Sequence, residues 1–231
     1  WTQSAKLTAG TTDAGRNDRF GASVSISGDT IVVGAVYDDD NSRSDSGSAY
    51  VFSRTSSGSW TRSAKLTAGA DAGSSDYFGF SVSISGDTMV IGAYADDDNH
   101  ENSGSAYVFS RTSSGDWTQS AKLTAGTTDA GRNDRFGASV SISGDTIVVG
   151  AVYDDDNSRS DSGSAYVFSR TSSGSWTRSA KLTAGADAGS SDYFGFSVSI
   201  SGDTMVIGAY ADDDNHENSG SAYVFSRTSS G

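Results

Sequence analysis

Short alternating runs recur along this chain. In "ASVSIS" (residues 22–27), Val24 and Ile26 fall on one face and serines on the other, the period of a β-strand. "SGDT" follows, with the Gly and Asp of a turn between two β-rich runs. "TIVVGAV" (30–36) is nearly continuous in apolar residues, as in a strand covered on both faces. After the polar stretch "YDDDNSRSDSG", "SAYVFSR" (48–54) predicts a third strand, with Tyr50 and Phe52 opposite Ala49 and Val51. "TSSGS" turns the chain into a weaker fourth strand, "WTRSAKLTA" (60–68), whose alternation places Trp60, Arg62, Ala64 and Leu66 on one side. No segment sustains an apolar spacing of 3.6 residues, so no helix is expected.

This four-strand pattern occurs four times. Trp1, Trp60, Trp117 and Trp176 are separated by 59, 57 and 59 residues, and residues 1–115 are identical to residues 117–231. Each half holds two diverged units that share "SAKLTAG", "SVSISGDT", "DDDN" and "SGSAYVFSRTSSG". A unit with neither a helix nor a disulfide cannot close its own core, so the units must stack. Four-stranded repeats of 50–60 residues with glycine and aromatic punctuation mark the blades of an all-β propeller, each blade a four-stranded antiparallel sheet. The expectation is one array over 1–231, with blades at about 19–69, 77–126, 135–185 and 193–228. In phase, residues 1–9 read as a fourth strand and the last unit as three, so the strand over 1–9 is expected to close the last blade, within one chain or between chains. Gly21 and Gly34 fall where backbones approach closely near the inner end.

The charge narrows the partners. With 29 acidic and 16 basic residues, the net charge is −13. Such a chain lacks the basic patch that neutralises phosphates and is repelled by anionic membranes, so neither nucleic acid nor a membrane is an expected partner. No run reaches the 18 apolar residues of a membrane span and no secretory leader is recognisable. There is no cysteine and no proline.

The runs "FGASVSISGDTIVVGA" and "FGFSVSISGDTMVIGA" resemble the FG-GAP repeat of integrin α-subunit heads and bacterial surface proteins, with Phe20-Gly21 and Gly34-Ala35 in the motif positions. Val36 and Tyr94 stand where the family has proline. "GDTxVVGA", "DDDN", "GSAYVF" and "AKLTA" are closer to the bacterial version. The resemblance implies a non-catalytic adhesive or binding propeller at the cell surface or outside it, and a lectin-like carbohydrate binder is the alternative. The integrin calcium loop lies between the first two strands. Here that connection is only "SGDT", too short to wrap Ca2+, so that site does not carry over.

The aspartates cluster elsewhere. Asp38, Asp39, Asp40 and Asp45, then Asp96, Asp97 and Asp98, with Asp154, Asp155, Asp156, Asp161, Asp212, Asp213 and Asp214 in the second half, are candidate ligands for Ca2+, a hard cation that takes six to eight oxygens. Strand order puts the first set on one rim with Asp13 and Asp18, and the second with Asp71, Asp76 and Glu101. The loops lack D-x-D-x-D-G spacing, so loop capping and solvation remain the other reading. No catalytic constellation stands out. His100 and His216 adjoin Glu101 and Glu217 in polar loops, no G-x-S-x-G elbow is present, and Gly10 and Gly15 do not form a phosphate loop. The tryptophans, once per blade, suit packing against a neighbour better than sugar stacking. Identical halves indicate either a recent duplication or an engineered symmetric chain, which silent codon positions would tell apart. A four-bladed ring needs a far more wedged blade than a seven- or eight-bladed one. The expected assembly is therefore a homodimer forming one eight-bladed ring, ahead of a closed four-bladed monomer.

Overall fold

A computed structural model of the chain describes residues 1–40, 42–156, 158–214 and 216–228. It contains four antiparallel sheets in sequence. The first blade is β1 (Phe20–Ser27), β2 (Thr30–Ala35), β3 (Ser48–Arg54) and β4 (Trp60–Leu66). The second is β5 (Ser81–Ser85), β6 (Thr88–Ala93), β7 (Ser105–Arg111) and β8 (Trp117–Leu123). The third is β9 (Phe136–Ser143), β10 (Thr146–Ala151), β11 (Ser164–Arg170) and β12 (Trp176–Leu182). The fourth has three strands, β13 (Phe194–Ser201), β14 (Thr204–Ala209) and β15 (Ser221–Ser226). Each sheet keeps chain order. Helical structure among the described residues is limited to single 3₁₀ turns at Gly69–Asp71 and Gly185–Asp187. No helix among them is long and apolar enough to cross a membrane.

Neighbouring sheets approach most closely along β1, β5, β9 and β13, the inner strands. Valines and isoleucines fill each junction. Val32, Val51 and Leu66 of the first blade meet Phe78, Val82, Ile84 and Met89 of the second, and the next junction repeats the set as Val90, Val108 and Leu123 against Phe136, Val140, Ile142 and Ile147. Burying each such side chain contributes about 1.5–3 kcal/mol, so the second strand is apolar because both its faces are covered.

The serines of the alternating strands are also used at the junctions. The hydroxyls of Ser23, Ser81 and Ser139 donate to the carbonyls of Gly79, Gly137 and Gly195 in the following blade, each at 2.7 Å. The amides of Ile84, Ile142 and Ile200 donate to Ser25, Ser83 and Ser141, each at 3.2 Å. Three junctions therefore share one geometry. The glycine reading holds where a junction is filled: a Cβ on Gly34 would lie 2.0 Å from the Gly79 carbonyl oxygen.

One expectation needs correction. Strict alternation fails in the fourth strand of each of the first three blades. The pairing slips between Val51↔Ala64 and Phe52↔Arg62, a bulge at Ser63. Trp60 and Arg62 consequently face the preceding side, towards Phe52 and Ala9, while Ala64 and Leu66 face the following blade. The pairing expected of residues 1–9 with the last blade is not made within this chain. They form no strand and do not pair with β15, whose outer edge has no partner among the described residues. Only Leu7 and Ala9 pack, against Val33, Ala35, Tyr50 and Phe52 of the first blade. The four blades form an open arc. Val24 and Ile26 are 67% and 62% exposed, whereas their counterparts Val82 and Ile84 are 9% and 6% exposed.

Candidate functional site

One end of the arc carries both the aspartate loops and the entry to the inner strands. The loops come together as the strand order requires. One cleft of about 380 Å³ is lined by Asp13, Gly15, Asp18, Asp38, Asp39 and Lys65. Another, of about 390 Å³, is lined by Asp71, Asp76, Asp96, Asp97 and Asp98.

The three aspartates of each run have different environments. The first is buried. Asp38, Asp96 and Asp154 accept hydrogen bonds from the hydroxyls of Tyr50, Tyr107 and Tyr166 at 2.9, 2.6 and 3.0 Å. Lys65, Lys122 and Lys181 of the fourth strands reach the same carboxylates at 2.9, 3.0 and 2.8 Å. The second aspartate caps the loop: Asp39, Asp97 and Asp155 accept from the amides of Asp45, Asn102 and Asp161 at 2.8, 2.7 and 2.8 Å. The third shares the lysine, and Asp98 lies 2.5 Å from Lys122. Asp213 repeats the cap towards Asn218. Asp212 accepts from Tyr223, but no lysine reaches it or Asp214 among the described residues. Burial pulls the ammonium groups of Lys65 and Lys122 down, but the neighbouring carboxylates outweigh it and hold both above the ordinary lysine range. Among the described residues, no group of three or more histidine, aspartate or glutamate side chains is arranged to hold a metal ion. Glu101 pairs with Arg132.

A second aspartate set underlies the rim. Asp76 and Asp134 accept the amides of Gly73 and Gly131. Burial pushes both carboxyls up to about 6, against the pull of those amides, with neighbouring aspartates adding to the rise. A folded-state pKa above the unfolded value means that the native chain keeps protons the unfolded chain gives up, so these groups lower stability as pH rises from about 4 to 6. Carboxyl-carbon NMR should show both midpoints near 6. Relative to the parent, Asp76→Asn is expected to fare best at pH 7, with the difference shrinking towards pH 4.

Inside this rim lies an aromatic ribbon that pattern reading does not reveal. Arg19, Tyr77, Arg135 and Tyr193, the residues before each FG pair, have φ of 53°, 59°, 56° and 58°. Bulky residues in the left-handed region are strained, and such strain gathers at functional positions. Here it turns the four side chains over the inner entry. The Arg19 guanidinium lies 4.9 Å from the Tyr37 ring, which meets Tyr77 edge-on at 5.4 Å. Tyr77 stacks on Tyr94 at 5.2 Å, and Arg135 spans Tyr94 and Tyr153 at 5.4 and 4.6 Å. Tyr153 meets Tyr193 at 5.3 Å, and Tyr193 stacks on Tyr210 at 5.1 Å. Phe80 and Phe196 lie against Tyr94 and Tyr210 at 4.5 and 4.6 Å with their outer faces exposed. A cleft of about 240 Å³ opens between Phe80, Tyr94, Arg135, Val152, Tyr153 and Phe196.

Four sheets in sequence, each nested on the next through its inner strand, define a repeat β-propeller. The chain belongs to the FG-GAP repeat family, whose model matches residues 1–52, 60–109, 117–168 and 176–225. No curated protein matches it. Among solved structures it is similar in fold to Sqt1 from Chaetomium thermophilum, with a TM-score of 0.53 at 14% identity over 92% of this chain. It spans about half of that protein, 45% of its chain.

Proposed function

We propose that this chain is a non-catalytic binding scaffold whose ligand seats on the aromatic ribbon at the inner entry, and not on the aspartate rim. The observation that carries this reading is the placement of Phe80 and Phe196, uncovered in one cleft with Tyr94, Tyr153 and Arg135. Uncovered apolar side chains grouped in a cleft and edged by polar residues mark recognition surfaces. The guanidinium of Arg135 adds a charged donor at the same place. The chemistry fits a segment of a protein partner that offers an apolar side chain next to a carboxylate. Sugar rings are the second reading, favoured by the flat tyrosine stacks, which present faces suited to apolar sugar surfaces.

A peptide display library and an immobilised glycan array, probed with the parent and with Phe80→Ala/Phe196→Ala, test both readings. Aromatic anchors at the centre of an interface contribute about 2 kcal/mol or more. The variant should lose binding at least tenfold, while Asp97→Asn on the rim should leave it unchanged. Retained binding in the phenylalanine variant, or its loss in the rim variant, would move the site off the ribbon.

A further inference from the structure

We propose that the stacked tyrosine pairs Tyr77–Tyr94 and Tyr193–Tyr210 are sites of oxidative crosslinking, at which a one-electron oxidant joins the two rings of a pair by a carbon–carbon bond.

The tyrosines divide into two groups. The chain has ten. The hydroxyls of Tyr50, Tyr107, Tyr166 and Tyr223 donate to the first aspartate of each run and so help to hold the fold. The other six, Tyr37, Tyr77, Tyr94, Tyr153, Tyr193 and Tyr210, all lie in the ribbon. Among the described residues no hydrogen bond engages a hydroxyl of these six. Phenylalanine would pack the same rings, so what the phenol adds here is its chemistry: hydrogen bonding to a visitor and ease of oxidation.

The rest of the chain leaves oxidative coupling to these rings. There is no cysteine, and the two methionines, Met89 and Met205, pack in the blade clusters. Trp60, Trp117 and Trp176 stand one to a fourth strand. Among the described residues, only the ribbon sets two oxidisable rings against each other.

Orientation then selects the pair. An oxidised phenol carries its unpaired electron on the oxygen and on the ring carbons ortho and para to it. The para carbon bears the side chain, so coupling takes place between ortho carbons. Their π lobes must face each other, which parallel rings allow and perpendicular rings do not. Tyr77 and Tyr94 lie 15° from parallel at 5.2 Å, and Tyr193 and Tyr210 lie 10° from parallel at 5.1 Å. Tyr37–Tyr77 and Tyr153–Tyr193 are about as close, at 5.4 and 5.3 Å, but meet at 87° and 75°. Each stacked pair joins the residue before an FG pair to the first residue after the second strand of the same blade. The left-handed backbone of Tyr77 and Tyr193, with φ of 59° and 58°, fixes the ring on its partner before any oxidant acts.

The chemistry balances with hydrogen peroxide turned over by a haem peroxidase. Each phenol gives one electron to the oxidant and its hydroxyl proton to water. The two phenoxyl rings form one ortho–ortho bond, and the hydrogens on the bonded carbons move to the oxygens, restoring both phenols. The pair loses two hydrogen atoms in all, and the peroxide becomes two waters. The link ties the strained residue at the strand entry to the loop opposite. Because Tyr94 also lines the cleft beside Phe80, the link fixes one wall of that cleft. This consequence rests on the binding reading above, whereas the crosslink does not.

The test is peroxidase treatment of the dilute chain, then cleavage before aspartate and mass spectrometry. Cleavage releases Tyr77 on residues 76–86 and Tyr94 on residues 87–95, with Tyr193 and Tyr210 on identical peptides of the second half. Tyr37 and Tyr153 leave on residues 29–37 and 145–153. The Tyr77–Tyr94 type of linked peptide, lighter by two hydrogens than its parts, should form in chains of single-chain mass. It should exceed the Tyr37–Tyr77 type at least tenfold. Tyr94→Phe/Tyr210→Phe keeps both stacks and should lose the link and the dityrosine fluorescence. Equal linking at the edge-on pairs, linking only between chains, no link at all, or undiminished fluorescence in the variant would each overturn the proposal. The crosslink is read with no ligand present, so links that form in a chain whose ribbon binds neither peptide nor sugar count against the binding reading alone.

Discussion

Asp96→Ala is expected to destabilise the chain by about 3–5 kcal/mol, the usual cost of removing one member of a buried ion pair. The carboxylate takes the Tyr107 hydroxyl at 2.6 Å and the Lys122 ammonium at 3.0 Å. Its removal leaves a phenol with no acceptor in a fully buried ring and moves the lysine's whole burden onto Asp98. Asp97→Ala, one residue on, removes a loop cap exposed to water and should cost about 1 kcal/mol. Denaturant titration of the two variants measures the contrast, and equal losses would show that the first aspartate is no more than a loop residue. The lysine gives a second signature. Because its folded value is held above the ordinary one, its contribution is present in full below about pH 10 and fades as pH rises through the folded value. The parent, but not Lys122→Met, should therefore lose stability from this source in strong alkali.

Gly92→Ala should cost about 1–3 kcal/mol or more through overpacking. A methyl group there would lie 2.0 Å from the Gly137 carbonyl oxygen of the next blade and 2.4 Å from Ser81 Oγ. The obstructing atom is backbone, so relief requires separating two blades. Gly86→Ala is the matched control. Its φ of 58° strains any side chain, but nothing stands within 4 Å of the new methyl. That variant should show only the local backbone cost of about 1–2 kcal/mol. Thermal melts of the pair separate junction strain from turn strain, and a Gly92→Ala melt no lower than the control's would contradict the close approach.

The fold was legible because repetition multiplies a weak strand signal by four, and because "TIVVGA" and "TMVIGA" are apolar in a way only a doubly covered strand tolerates. Register was less so. The bulge at Ser63 reverses the side of Trp60, and no alternation rule shows where an extra residue will be absorbed. The same physics hid the ribbon. By parity Phe80 and Phe196 belong with the valine and isoleucine that follow them in the core, but the backbone at Gly79 and Gly195 has a positive φ and the pairing of β13 shifts between Phe194 and Ser197, so both rings are exposed. A visible hint was the change from "FGAS" to "FGFS" in alternate units. The rim aspartates were found by their density, while the lysine that engages two of them was hidden inside "AKL", where it counts as one polar residue of a weak strand.

The blades come in two kinds, and so do their contacts. Arg111 and Arg227 bond Thr30 and Thr146 across the junction entered from an "FGAS" blade, whereas Arg135 bridges Tyr94 and Tyr153 where an "FGFS" blade leads into an "FGAS" one. A closed circle of such units must alternate all the way round, so it can hold only an even number. With an odd count, two blades of one kind would become neighbours, and one contact would carry the wrong side chains on both sides. Gain or loss of repeats compatible with closure would therefore proceed by twos, which makes the pair of blades, and not the single blade, the step in which this architecture can grow or shrink.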